Sequence, residues 1–200
     1  MTPTTPPPPG APRAEAVVIG ASAGAVDALS ALLPTLPADY PLPVMVVVHV
    51  PPDKKSVMAE LFRNKCRMTV REAEDKEPLV PGTVYFAPPD YHLLVEPDRR
   101  LSLSSEEPVH YSRPAIDVLF ESAADAFGAG LVGVVLTGAS SDGAGGLRAV
   151  CAAGGGALVQ HPDEAAVATM PRAALAACPK ASVMYLEQIA ARLRDLGRRP

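Results

Sequence analysis

The chain has 200 residues, a length that allows one domain with a sizeable core, burying roughly 70% of its unfolded surface. Apolar residues make up 48% and charged residues 20%, the balance of a globular body. A net charge of −4 with no large basic block argues against a nucleic-acid binder, and no apolar run is long enough to insert in a membrane. The first fourteen residues, MTPTTPPPPGAPRA, hold no apolar stretch and so no secretory signal. Proline at that density predicts a disordered tail over residues 1–15, with a docking peptide for a proline-reading module as the alternative. The folded body is expected over residues 16–200. Short valine-rich runs predict buried parallel strands at 16–20 (AVVIG), 43–49 (PVMVVVH), 131–137 (LVGVVLT) and 155–160 (GGALVQ). Helical spacing predicts helices over 24–33, 55–66, 114–127, 143–153, 171–178 and 186–196. Residues 78–104 alternate and are broken by Pro-Pro-Asp and Pro-Asp-Arg-Arg, which predicts an antiparallel hairpin or meander added to the main sheet. The fold expected is a doubly wound three-layer α/β domain with a mainly parallel sheet. Cys66, Cys151 and Cys178 lack metal-ligand spacing and are expected as small core residues in a reducing cytoplasm.

Ligands of open α/β sheets bind at the carboxyl ends of the strands. The first strand ends in Gly20-Ala21-Ser22-Ala23-Gly24, the second in His49, and the third is followed by Asp142. A hydroxyl, an imidazole and a carboxylate at one sheet edge are the parts of a nucleophile, its base and the group that orients the base. Each has a plainer role open to it. Ser22 and Asp142 suit helix N-caps, and His49 suits a buried histidine with one backbone partner. His161, at the end of another strand, is the rival base, while His92 and His110 are expected on the surface. A dinucleotide loop would need glycine at 22 and 25, where Ser22 and Ala25 stand, and no Gly-Lys-Ser/Thr follows any strand. No cofactor or metal is expected.

The stretches VVIGASAGAVDALSALLPTLP, VVVHVPP, REAEDKEPLVPGTVYFAPPDYHLLV, SRPAIDVLFESAADAFG, GVVLTGASSDGAGGL, GGGALVQ and MPRAAL occur in one order over residues 16–196. As an ordered set they resemble the catalytic domain of the chemotaxis protein-glutamate methylesterases (CheB type). The resemblance implies a cytoplasmic enzyme. Its substrate would be γ-glutamyl methyl esters on the helices of methylated chemoreceptors, with methanol released and receptor glutamines deamidated in some members. It implies Ser22 as nucleophile, His49 as base and Asp142 as orienting acid, with backbone amides of Ala23 and Ala139 at the oxyanion. Arg113, in Ser-Arg-Pro, is a candidate for positioning the substrate.

Some residues depart from the family pattern. Ala23-Gly24-Ala25 stands where threonine and two glycines are usual, Ala139-Ser140 replaces methionine-glycine, and Thr169 replaces a glycine. The family's N-terminal receiver domain has no counterpart here, so control is expected from a separate regulatory protein or not at all. Two other readings fit the same residues: a catalytically weak adaptor that keeps the docking surface, and a methylesterase for a signalling protein outside chemotaxis.

Overall fold

The computed structural model describes residues 13–49 and 57–197. The expected tail falls almost wholly outside them, at residues 1–12, but Glu15 is already tied to the fold through its backbone N–H to the Gly130 carbonyl. The described residues hold nine strands and six α-helices. They are β1 (Ala16–Ala21), α1 (Ala25–Leu32), β2 (Val44–Val48), α2 (Met58–Arg63), β3 (Thr69–Glu72), β4 (Thr83–Phe86), β5 (His92–Val95), β6 (Leu101–Ser104), α3 (Ile116–Phe127), β7 (Leu131–Val135), α4 (Ala144–Ala152), β8 (Gly156–Gln160), α5 (Thr169–Ala177), β9 (Ser182–Met184) and α6 (Leu186–Leu196).

Seven strands form one sheet in the order β3-β4-β2-β1-β7-β8-β9, and every neighbouring pair is parallel. A strand buried on both faces carries apolar side chains at every position. β1, β2 and β7 are buried along their whole lengths. Successive side chains point to opposite faces. Val17, Ile19, Val44 and Val46 therefore pack with α1, α2 and α6, through Leu29, Leu32, Phe62, Ile189 and Leu193. Val18, Met45 and Val47 pack with α3, α4 and α5, through Leu119, Phe120, Leu147 and Ala174. The three-layer architecture expected from the sequence is the one observed.

The middle of the chain needs correction. Thr83–Phe86 is a parallel strand of the main sheet, paired with both β2 and β3, and not part of an antiparallel meander. β5 and β6 pair as an antiparallel hairpin, and it is a separate two-stranded sheet. Its Leu93, Val95 and Leu101 bury against the same core as α3. Four-residue strands give too few alternations to reveal which sheet they join, so the sequence pattern alone could not separate them.

The cysteines also differ from expectation. Cys151 of α4 and Cys178 after α5 are joined as a disulfide, their Cα atoms 6.6 Å apart, and Cys66 is free. The packing of α4 against α5 brings together residues 27 positions apart, which no sequence spacing signals. Among the described residues no helix is long and apolar enough to cross a membrane.

Gly20 carries the closest approach of β1 to α3. A Cβ there would lie 2.4 Å from Ile116 Cγ2. Gly20→Ala must displace the start of α3, and an overpacking cost of about 1–3 kcal/mol is expected in urea unfolding.

Candidate active site

The chain leaves β1 for β2 on one side of the sheet, and β7, β1's other neighbour, continues to β8 on the opposite side. The crevice of an open α/β sheet lies at such a switch point. Ser22 follows β1, His49 follows β2 and the Asp142 loop follows β7, so all three stand around it. Parallel pairing sets their heights. Ser22 N–H donates to the Thr137 carbonyl (2.9 Å) and His49 N–H to the Ala21 carbonyl (3.2 Å). The Ser22 turn is sharp because Gly24 takes φ of 83°, and a Cβ there would also lie 2.8 Å from Ala166 Cβ. The Ser22 hydroxyl has no hydrogen-bond partner among the described residues, so it does not cap α1, and it is not yet bonded to His49.

His49 and Asp142 are brought together. His49 Nε2 lies 2.7 Å from Asp142 Oδ2, and the carboxylate is fully buried. Nδ1, the other ring nitrogen, has no hydrogen-bond partner among the described residues. Asp142 does not cap the helix that follows it, as one reading of the sequence had it. Its Oδ2 accepts Ile116 N–H (2.6 Å) and its Oδ1 accepts Asp117 N–H (2.9 Å), the first turn of α3. Gly143 N–H donates to Oδ1 as well (2.9 Å). Burial pushes the Asp142 carboxyl up, but the hydrogen bonds from His49, Asp117 and Ile116 outweigh it. Together with the His49 charge they hold the group below the usual carboxylate range. The positive end of α3 acts in the same direction.

Sequence reasoning missed Asp117. Its Oδ1 accepts Gly143 N–H (2.9 Å) and Gly146 N–H (2.6 Å), the beginning of α4. Its Oδ2 faces His110 Nε2 at 3.1 Å. Burial, aided by the Asp142 charge, raises the Asp117 carboxyl above its ordinary value despite those bonds and the His110 charge. Donor atoms of His110, Asp117 and Asp142 lie within 4.8 Å of one another, a spacing metal ligands can have. Both oxygens of Asp142 are already taken by N–H donors, and the cluster reads as a hydrogen-bonded brace.

The remaining candidates separate clearly. Neither Ala23 nor Ala139 donates its backbone N–H to an acceptor among the described residues, and both are exposed. Arg113 is engaged within the chain. Its Nε and Nη2 donate to Asp90 Oδ1 (3.0 and 2.6 Å), and its Nη1 to the Ser105 and Glu106 carbonyls (2.9 and 3.0 Å). His161 accepts Asp163 N–H and stacks on Tyr185 at 4.6 Å, away from Asp142. His92, expected on the surface, is buried; it accepts Ala115 N–H at Nδ1 and donates to the Glu107 carbonyl. Gln160 was legible only as a strand end. Its Oε1 accepts Thr137 N–H (2.9 Å), and Thr137 Oγ1 donates to the Ala23 carbonyl (2.8 Å), which fixes the Ser22 turn from below.

Residues 17–193 match the protein-family model described as CheB methylesterase. A Leptospira interrogans protein, named provisionally as a protein-glutamate methylesterase/protein-glutamine glutaminase, is 46% identical over 176 residues, 88% of this chain and 91% of that protein. A Symbiobacterium thermophilum protein with the same name is 41% identical over 78% of this chain, which spans only 43% of it. The crystal structure of the Thermotoga maritima CheB methylesterase catalytic domain superposes with a TM-score of 0.87 at 31% identity, covering 92% of this chain and 98% of that one.

A carboxyl whose folded pKa lies below its unfolded value of ~4 stabilises the fold above that value and stops doing so as pH falls through the folded pKa. Asp142→Asn should therefore be less stable than the wild type at neutral pH, by about 3 kcal/mol for a broken buried pair. The gap should close as pH drops below ~4 and the wild-type carboxyl protonates. Urea unfolding of both proteins between neutral and strongly acidic pH measures it.

Proposed function

Because the chain belongs to the CheB methylesterase family, we propose that it hydrolyses glutamate methyl esters on methylated chemoreceptors, with Ser22 as nucleophile. The enzyme class is protein-glutamate methylesterase, a carboxylic-ester hydrolase. The observation that carries the mechanistic reading is the 2.7 Å contact between His49 and the fully buried Asp142, at the sheet edge where Ser22 follows β1 with a hydroxyl that has no partner among the described residues.

His49 takes the Ser22 proton at Nδ1 as Oγ attacks the ester carbonyl. Asp142 accepts the Nε2–H and stabilises the imidazolium, since it stays ionised. The oxyanion is met by the free amides of Ala23 and Ala139. The first of these precedes α1, whose N-terminal amides and dipole favour negative charge. His49 returns the proton to the leaving oxygen, and methanol departs. Water, deprotonated by His49, then releases the glutamate. The same attack on a side-chain amide would release ammonia from glutamine, the second activity in the relatives' names.

Arg113 is proposed to serve the substrate indirectly. Its guanidinium holds the loops at Asp90 and Ser105–Glu106 in place and has little left to offer a ligand. A cytoplasmic setting completes the reading.

Ser22→Ala should lower methanol release from methylated chemoreceptor by ~10³-fold or more while leaving urea unfolding unchanged. Near-wild-type release by that variant would remove Ser22 as nucleophile.

A further inference from the structure

Tyr111 is fully exposed, at 103% relative accessibility, and its hydroxyl has no partner among the described residues. It sits in a two-residue turn closed by Val109 and Ser112, which exchange both backbone hydrogen bonds (3.1 and 2.9 Å). His110 and Tyr111 both have positive φ, 50° and 60°. Turns of that kind favour Asn-Gly, and bulky residues in them are strained. No contact of the Tyr111 ring among the described residues offsets the strain. Strained backbone positions cluster at functional sites.

The turn is fastened to the candidate active site. His110 rests on Asp117, and their donor atoms lie within 4.8 Å of the Asp142 carboxylate. Tyr111 is therefore one peptide unit, ~3.8 Å between Cα atoms, from a residue against the His49–Asp142 pair. Arg113, two residues on, binds Asp90, whose neighbour Tyr91 is also exposed (45%). The Asp90 loop follows β4, which pairs with β2, the strand that ends beside His49. One guanidinium thus ties together two loops that each present a tyrosine to solvent at this edge of the sheet.

We propose that Tyr111 is a docking residue for the substrate protein, its ring packing on the uncharged surface around the esterified glutamate. This rests on the methylesterase reading above. Methylation removes the charge of the glutamate, so the surface to be recognised is neutral and partly apolar. Tyrosine suits it, supplying a large rigid face at low entropic cost. Tyr91 extends the same rim, and Arg113 acts by holding both loops.

The test compares wild type, Tyr111→Gly and Tyr111→Phe. Glycine accepts the positive φ without strain, so that variant keeps the turn while losing the ring. Two quantities are read: methanol release from methylated chemoreceptor, and the rate at which a small fluorophosphonate labels Ser22. Tyr111→Gly should raise KM for the protein substrate ~10-fold or more, with kcat within about twofold and Ser22 labelling unchanged. Tyr111→Phe should keep a KM within about twofold of wild type, since the ring carries the contact. A wild-type KM in Tyr111→Gly overturns the docking role. So does slowed labelling in it, which would place the effect in the catalytic machinery. Labelling of all three proteins with methanol from none overturns the methylesterase reading, and the docking role with it.

Discussion

Two carboxylates crossed between two helices hold this site together. Asp142, in the loop before α4, accepts the first N–H groups of α3. Asp117, in the first turn of α3, accepts N–H groups at the start of α4. Each helix thus satisfies orphan amides of the other, which would otherwise be buried without partners. The exchange needs the helices close together. Gly145 and Gly146 allow it, since a Cβ at Gly146 would lie 2.5 Å from Phe120 Cβ. Asp142 is left with one oxygen aimed at His49 and an environment that keeps it ionised. Asp117, nearby and also buried, is pushed the other way. Burial raises both carboxyls, and the hydrogen bonds that Asp142 accepts are what turn its balance downward.

The sheet supplies the rest of the geometry. Because every pairing is parallel, the carboxyl ends of β1, β2 and β7 finish at one edge. The two chain directions leaving β1 and β7 open the crevice between them. Thr137 and Gln160 then pin the Ser22 turn from the floor of that crevice. This scaffold of backbone and side-chain hydrogen bonds orders the site without using the Ser22 hydroxyl, which has no partner among the described residues.

The departures from the family pattern fall where the backbone tolerates them. Ala25 is the first residue of α1 and buried, a position with no requirement for glycine, whereas Gly24 beside it has a positive φ and no room for a Cβ. Ser140 replaces a glycine and uses its hydroxyl to accept Asp142 N–H at 2.9 Å. Thr169 opens α5, directly before Met170, whose side chain packs on Gly138. Ala23 and Ala139 change side chains at positions where the proposed chemistry uses backbone amides.

The sequence by itself determined the layer architecture, because strands buried on both faces must be apolar throughout and valine-rich runs between helical segments have few other solutions. It also brought Ser22, His49 and Asp142 into one list, since each follows a strand. Tertiary structure alone decided what those residues touch. Thr83–Phe86 joins the main sheet while His92–Val95 does not, although both are four-residue runs. Cys151 meets Cys178 because α4 lies on α5. Asp117, the second residue of α3, looks in sequence like any acid in a first turn. Its role depends on amides 26 and 29 residues away. Periodicity reports which face a residue occupies, but the partner on that face is chosen by chain crossings that leave no mark on local sequence.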